Sequence, residues 1–194
     1  MKLSIIILAA GKGTRMYSDK AKVLHKIGGK PMIMHVIDLA RQLNPEDIHI
    51  VIGHQAEKIQ STIEEDDINW VLQSEQLGTG HAVQQAIDQV KGDRVLVLYG
   101  DVPLLQAETM LELGALCSLC KLSILTVMLD DPTGYGRIVR NTKGDIQAII
   151  EQSDADRKTQ EIREGNSGIL SADTEKLKQW LDALKNNNEQ GEYY

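Results

Sequence analysis

Leu8-Ala9-Ala10-Gly11-Lys12-Gly13-Thr14-Arg15-Met16 follows directly on the strand-like run Leu3 to Ile7, and its reading decides both fold and chemistry. Glycines at 11 and 13 allow a tight turn whose N–H groups approach an anion, while Lys12 and Arg15 add charge that backbone dipoles cannot supply. This is the chemistry of a phosphate-binding loop. A Walker A loop needs four residues between its glycines and then Gly-Lys-Ser/Thr, a spacing the stretch lacks. A dinucleotide fingerprint needs a small residue near position 16 and an acid closing the second strand, but Met16 and Gly53-His54 stand there. On spacing alone, the alternative is an ordinary strand-to-loop turn with scattered charges.

Outward from this loop, strand-like runs alternate with helical patterns to about residue 130, as in a parallel sheet covered on both faces. Strands are expected at Leu3 to Ala9, Ile48 to Gly53, Trp70 to Leu72, Val95 to Tyr99 and Leu122 to Leu129. Helices are expected at Pro31 to Leu43, with apolar residues at 33, 36, 37, 40 and 43, and at Gln55 to Glu65, Gly80 to Val90 and Ala107 to Leu116. From Asp130 short segments take over: Gly136 to Arg140, a turn at Asn141 to Gly144, Ile146 to Glu151 and Ser167 to Ala172, before a last helix at Thr174 to Leu184. The expected organisation is one unit, with residues 1–129 carrying the phosphate-binding loop and 130–194 forming a smaller β-rich lobe.

The chain has 194 residues, 42% of them hydrophobic, which suits a single well-packed domain. A formal net charge of −7 makes nucleic acid or an anionic membrane a poor partner, so a phosphate ligand must be held by local charge. No leader-like pattern opens the sequence and Leu3 to Ala10 is too short to span a bilayer, so a cytoplasmic protein is expected. Cys117 and Cys120 form a C-x-x-C pair, but no second Cys or His pair completes a zinc site. The pair also follows the expected helix Ala107 to Leu116, whose C-terminal dipole opposes a thiolate, so reduced, half-buried, non-functional cysteines are expected.

In an open α/β sheet the ligand crevice lies beyond the carboxyl ends of the strands. Three loops meet that rule: the glycine loop, Gln73-Ser74-Glu75-Gln76-Leu77-Gly78-Thr79-Gly80, and Gly100-Asp101-Val102-Pro103. Asp101 after a buried strand is a rigid place for a carboxylate that holds Mg²⁺, against the plainer reading as a turn or cap residue. Gln73 and Gln76 each carry a donor and an acceptor, as pairing with a base edge requires, although each alone would also pass for a surface glutamine. Lys22 supplies a second cation or, with Lys20 and Lys26, a solvated basic face. Phosphoryl and nucleotidyl transfer need positioning and neutralisation rather than a protein nucleophile. No Ser-His-Asp or H-E-x-x-H arrangement is present, and His54 and His81 read as helix-start residues.

The loop Leu8 to Met16 with Lys22 resembles the signature of sugar-nucleotide pyrophosphorylases of the GT-A-like nucleotidyltransferase fold. The nearer resemblance is to the uridyltransferase domains of bacterial bifunctional N-acetylglucosamine-1-phosphate uridyltransferase/glucosamine-1-phosphate acetyltransferases. It rests on Gln73 to Ala82, Leu98 to Leu104, Asp131 to Ile138, Glu151, Asn166 to Ile169 and Asn186 to Tyr194. The resemblance implies a Rossmann-like α/β fold and attack of N-acetylglucosamine 1-phosphate on UTP. The products would be UDP-N-acetylglucosamine, a cell-envelope precursor, and pyrophosphate. It implies that Arg15 and Lys22 act on the transferring phosphate and that Asp101 holds Mg²⁺. Leu8, Ala10, Gly11, Gly13, Gln73, Gln76, Gly78 and Thr79 would bind the nucleotide, and Tyr99, Gly100, Gly136, Glu151 and Asn166 the sugar.

Two departures matter. Ala21 stands where the family usually has proline, which predicts a less rigid approach to Lys22. The family's second metal-binding residue, an Asn, and its acetyl-transferring, trimer-forming β-helix lie beyond residue 194, so the expectation is a monomeric front-end fragment without acetyltransferase activity and with a weakened metal site. The competing readings are a non-catalytic UDP-sugar or nucleotide-binding module and a pyrophosphorylase for another base or sugar.

Overall fold

A computed structural model of the chain describes residues 2–13 and 16–194. Its strands are β1 (Leu3–Ala9), β2 (Lys26–Ile27), β3 (Lys30–Pro31), β4 (Asp47–Ile52), β5 (Ile68–Leu72), β6 (Arg94–Tyr99), β7 (Leu122–Met128), β8 (Arg137–Arg140), β9 (Ile146–Ile150) and β10 (Glu164–Asp173). The helices are α1 (Met32–Gln42), α2 (Ala56–Thr62), α3 (Thr79–Ile87), α4 (Ala107–Cys120), α5 (Arg157–Gln160) and α6 (Thr174–Asp182).

Strand order across the main sheet is β5-β4-β1-β6-β10-β8-β9, with β7 also paired to β10. The β5, β4, β1 and β6 pairings are parallel, and β10 returns antiparallel to β6, β7 and β8. The fold is therefore α/β with a mostly parallel central sheet. The β8–β9 hairpin forms the small lobe, and β10 carries that lobe back into the main sheet.

The continuous apolar run of β1 has a simple cause, since both of its faces are covered. Ile5, Ile7 and Ala9 pack with α1, Ile59 of α2 and Met110 and Leu113 of α4. Ile6, Leu8 and Ala10 pack on the opposite face with α3 and α6. Each fully buried isoleucine stabilises the fold by about 1.5–3 kcal/mol. The helical spacing read for α1 is seen as buried Ile33, Val36, Ile37 and Ala40.

One boundary is corrected. The last helix turn of α4 runs to Cys120, so the cysteines lie inside the helix rather than after it. Apolar residues that continue beyond Leu116 at Cys117, Leu119 and Cys120 hide the stop of α4; the chain leaves the helix only at Lys121, which takes a left-handed backbone conformation. The pair is split rather than evenly half-buried: Cys117 points into the core and Cys120 outward, both as free thiols. Among the described residues no helix is long and apolar enough to cross a membrane.

Candidate functional site

The carboxyl ends of β1, β4, β5 and β6 meet at one sheet edge because their loops are tied by backbone hydrogen bonds. The His54 N–H donates to Ala10 O at 3.2 Å, Gln73 N–H to Ile52 O at 2.7 Å and Gly100 N–H to Leu8 O at 2.9 Å. These bonds also sort the residues of the first loop. Leu8 and Ala10 have buried side chains and backbone oxygens engaged in holding neighbouring loops, whereas Gly11 faces open space. Gly13 takes φ +61°, and a Cβ there would lie 2.8 Å from Lys22 Cβ, so the glycine lets the Lys22 segment pass close by. Arg15 and Thr14 lie outside the described residues.

Ala21, in the place of the expected proline, is bracketed by a side chain from across the edge. Its N–H donates to Gln55 Oε1 at 3.2 Å, and Gln55 Nε2 donates to Asp19 O at 2.7 Å. The short 3₁₀ turn Lys22–Leu24 then buries Val23 and Leu24 and leaves Lys22 at the surface. Lys22 Nζ forms an ion pair with Asp101 Oδ2, their side chains 36% and 24% exposed. Lys22 thus pairs with Asp101, whereas Lys20 and Lys26 are exposed. A pair this accessible adds little to stability, about 0–1 kcal/mol. What it does is hold opposite charges ready at the point where the loops meet.

Among the described residues no group of three or more His, Cys, Asp or Glu is arranged to hold a metal. A lone accessible carboxylate such as Asp101 nevertheless fits an ion that takes most of its ligands from water and substrate phosphates, as Mg²⁺ does.

Beside this pair the β5–α3 loop forms a small polar pocket. Gln73 is 2% exposed, and its Nε2 donates to Gly78 O at 3.1 Å and to His81 Nδ1 at 3.0 Å. Gln76 Nε2 donates to Gln73 O at 3.1 Å and lies against Gly53, which Ala10 also approaches. The structure thus brings Gln73, Gln76, Gly78 and Ala10 together. His81, read from sequence as a plain helix-start residue, belongs with them; its spacing of eight from Gln73 across a glycine-rich turn was the available signal.

The small lobe completes the edge. Asn166 N–H donates to Gly136 O at 2.8 Å, and Asn166 Oδ1 accepts from Gly168 N at 3.0 Å. Glu151 Oε1 lies so close to Gly136 that a Cβ there would meet it at 2.7 Å. Burial, then the Asp154 carboxylate, push the Glu151 acid above its ordinary range, with Arg137 opposing. Arg137, 1% exposed, donates to Tyr135 O, to Gln152 Oε1 at 2.7 Å and to Gln160 O at 3.5 Å, pinning the loop before β8 to the one after β9. Its sequence position in a quoted motif gave no hint of this internal role.

Tyr99 links the two halves. Burial raises its phenol, a hydrogen bond with Thr79 opposes that, and the carboxylates of Asp101 and Glu151 add to it. One ring therefore feels Thr79 at the start of α3, the candidate metal ligand Asp101 and Glu151 of the small lobe. Gly100, next in sequence, packs under Val23 and Ile33 and serves as spacing rather than as a polar contact.

Residues 186–194 fold back over this edge. Tyr193 N–H donates to Leu77 O at 2.8 Å and Tyr193 O accepts from Gly80 N at 2.9 Å. Glu189 N–H reaches Asp154 Oδ1 at 3.3 Å, so the segment straps the start of α3 to the small lobe.

Residues 5–164 match the model of the MobA-like NTP transferase domain. The chain is 56% identical over 194 residues to the bifunctional protein GlmU of Pseudomonas aeruginosa strain PAO1, covering 100% of this chain and 43% of that protein. Against the bifunctional protein GlmU of Marinobacter nauticus it is 55% identical over 193 residues, with 99% and 42% covered. The chain thus spans less than half the length of these relatives. Among solved structures, it resembles a Bacillus anthracis protein assigned as a glucose-1-phosphate thymidylyltransferase, crystallised with sucrose. The TM-score is 0.73 at 22% identity, over 90% of this chain and 73% of that one. HddC from Yersinia pseudotuberculosis with GMP-PN gives a TM-score of 0.68 at 20% identity, over 97% and 81%. These two likenesses concern the fold alone, the α/β sheet with its helices on both faces. With the family model spanning most of the chain and Gly11, the Gln73 and Gln76 amides and Asp101 gathered at one edge, the chain belongs to the MobA-like NTP transferase domain family.

Proposed function

We propose that this chain transfers a uridylyl group from UTP to N-acetylglucosamine 1-phosphate, giving UDP-N-acetylglucosamine and pyrophosphate. The observation that carries the reading is one continuous edge: Gln73 and Gly78 at one end, the Lys22–Asp101 pair, then Glu151 and Asn166 at the other, with Tyr99 between. That order suits a base, a polyphosphate and a sugar laid end to end. The 56% identity to a GlmU protein over the whole chain supports the same substrates.

In this reading a sugar-phosphate oxygen, already ionised, attacks the α-phosphorus of UTP. A new P–O bond forms as the bond to the β-phosphate's bridging oxygen breaks and pyrophosphate leaves, so no general base is required. Gln73, Gln76 and the Gly78 and Ala10 backbone hold uracil; Gly11 and Gly13 bring the loop backbone to the phosphates, and Thr79 and Leu8 support from the nucleotide side. Lys22 and Arg15 act on the charge of the transferring phosphate, which is where fixed cations are most effective. Gly136, Glu151, Asn166, Tyr99 and Gly100 frame the sugar. Asp101 would hold Mg²⁺, which supplies charge neutralisation when bound.

Residues 1–129 serve the nucleotide and 130–194 the sugar. The protein acts in the cytoplasm as a monomer, without nucleic acid or membrane, in keeping with its acidic balance of −7. The test is to incubate the chain with UTP, N-acetylglucosamine 1-phosphate and Mg²⁺, and to weigh the product. UDP-N-acetylglucosamine that vanishes with Arg15→Ala, while UTP binding persists, is the expected result. Binding without turnover in the unaltered chain would make it a nucleotide-binding module, and preference for dTTP, CTP or GTP would reassign the base.

A further inference from the structure

Donor and acceptor chemistry alone fixes which way the Gln73 amide faces. Its near atom lies 3.1 Å from Gly78 O, and a carbonyl oxygen only accepts, so that atom is the nitrogen. Turning the amide end for end would set two oxygens against each other. One amide hydrogen goes to Gly78, and the second is directed to His81 Nδ1 at 3.0 Å. His81 receives it with the Nδ1 lone pair, so the ring is neutral and its proton sits on Nε2. On the far side of the ring Gln85 Nε2 stands 3.1 Å from His81 Nε2 and 3.4 Å from His81 O; a neutral ring has one lone pair to offer, and the shorter contact to Gly78 O fixes Gln73, so it is the Gln85 amide that turns, its oxygen accepting the Nε2 proton.

The consequence reaches the ligand. Both hydrogens of the Gln73 amide are committed to protein, leaving Oε1 as the part of the side chain with a spare contact. Among the described residues nothing hydrogen-bonds to Gln73 Oε1, yet it is not sealed off, although the residue is only 2% exposed. A buried amide thus shows the opening an acceptor and no donor. Uracil and thymine present an N–H at ring position 3; cytosine presents a bare nitrogen there, beside an amino group. An oxygen attracts the first pair and repels the bare nitrogen, while an amide turned the other way would reverse the preference.

We propose that His81 is a positioning residue for base selection: its Nδ1 lone pair, together with Gly78 O, holds the Gln73 amide with Oε1 toward the base. The site then takes a pyrimidine carrying a hydrogen at ring position 3 and refuses cytosine. This rests on the uridylyl-transfer reading and adds the group that sets the sense of the recognition. His81 touches no substrate. It acts through Gln73, and Tyr193, whose ring centroid is 6.4 Å from that of His81, closes the outer side.

The experiment compares kcat/KM for UTP and CTP in the full chain, in His81→Phe, which keeps a ring but has no acceptor, and in His81→Asn, which restores one. His81→Phe is expected to lower the UTP-to-CTP ratio about tenfold, through a higher KM for UTP more than through kcat, and His81→Asn to recover part of it. An unchanged ratio in His81→Phe, or equal losses on both nucleotides, overturns the proposal while leaving uridylyl transfer intact. A wild-type chain without preference for UTP overturns both. NMR of isotope-labelled histidine in the wild-type chain gives an answer that does not depend on any variant folding. The expected state is His81 protonated at Nε2 with a hydrogen-bonded, bare Nδ1; a proton on Nδ1 at the assay pH overturns the proposal.

Discussion

Lys22 Nζ and Asp101 Oδ2 meet in an ion pair across two loops that are 79 positions apart in the chain numbering. The contact joins the first loop's cationic side to the carboxylate that follows β6. Both side chains keep access to solvent, so an incoming polyphosphate or cation reaches them without opening the core.

Replacing Asp101 with Asn is expected to leave stability within about 1 kcal/mol of the parent, since an exposed pair contributes little. Turnover should fall by about 10²-fold or more, as for loss of a group aimed at developing charge. Pyrophosphate release measured across a Mg²⁺ titration, beside urea unfolding, separates the two effects. Equal loss of folding and activity would refute the assignment.

Gly168 sits at φ +79°, and a Cβ there would lie 2.5 Å from the Tyr99 hydroxyl. Gly168→Ala should therefore cost about 1–3 kcal/mol through backbone strain and displacement of the ring. Because Tyr99 stands between the two halves of the site, KM for the sugar phosphate should rise as well. Denaturant midpoints and steady-state kinetics check both.

Glu151 carries a pH signature. Burial and then Asp154 raise its native acid value above the unfolded 4.5, so in the window above 4.5 the native state holds more proton than the unfolded chain. Stability attributable to this group therefore falls as pH rises through that window and stays lower beyond it. Glu151→Gln should melt higher than the parent at pH about 7, with the difference closing toward pH about 4. A melting difference that grows on acidification would contradict the burial account.

Arg137 is 1% exposed and donates to Tyr135, Gln152 and Gln160. Arg137→Met strips acceptors of their partner in a buried place, and a loss of about 2–4 kcal/mol is expected. The damage should centre on the loops around Gly136 and Glu151, raising KM for the sugar phosphate more than for UTP. Unfolding curves with kinetics at varied concentrations of each substrate decide the point.

Asn188 closes the strap on itself, donating to Glu192 O at 2.5 Å and accepting from Glu192 N at 3.1 Å. Asn188→Ala removes both bonds, each contributing about 0.5–1.5 kcal/mol. Hydrogen exchange at the Tyr193 and Gly80 amides should quicken, with the amides of β1 unaffected. Protection unchanged at Tyr193 would show that the strap is held by other contacts.

The sequence by itself determined the layered architecture and the sheet edge at which the candidate site residues gather. Residues 5–10 are apolar throughout because both faces of β1 are covered, a condition that marks a parallel sheet before any coordinates exist. Strand ends then place Gly11, Gln73 and Asp101 together by topology alone. Local pattern had less to say where local forces do not decide. The stop of α4 is hidden in the sequence because apolar residues continue beyond Leu116 at Cys117, Leu119 and Cys120, and it is imposed by the left-handed turn at Lys121. Only the tertiary structure brought Lys22 onto Asp101, Gln55 against Ala21, and His81 onto Gln73. Such pairings depend on which donor finds which acceptor after the chain has closed on itself, and residue type limits those choices without fixing them. The same reason hid Arg137 and the strap at residues 186–194, whose partners lie in other loops.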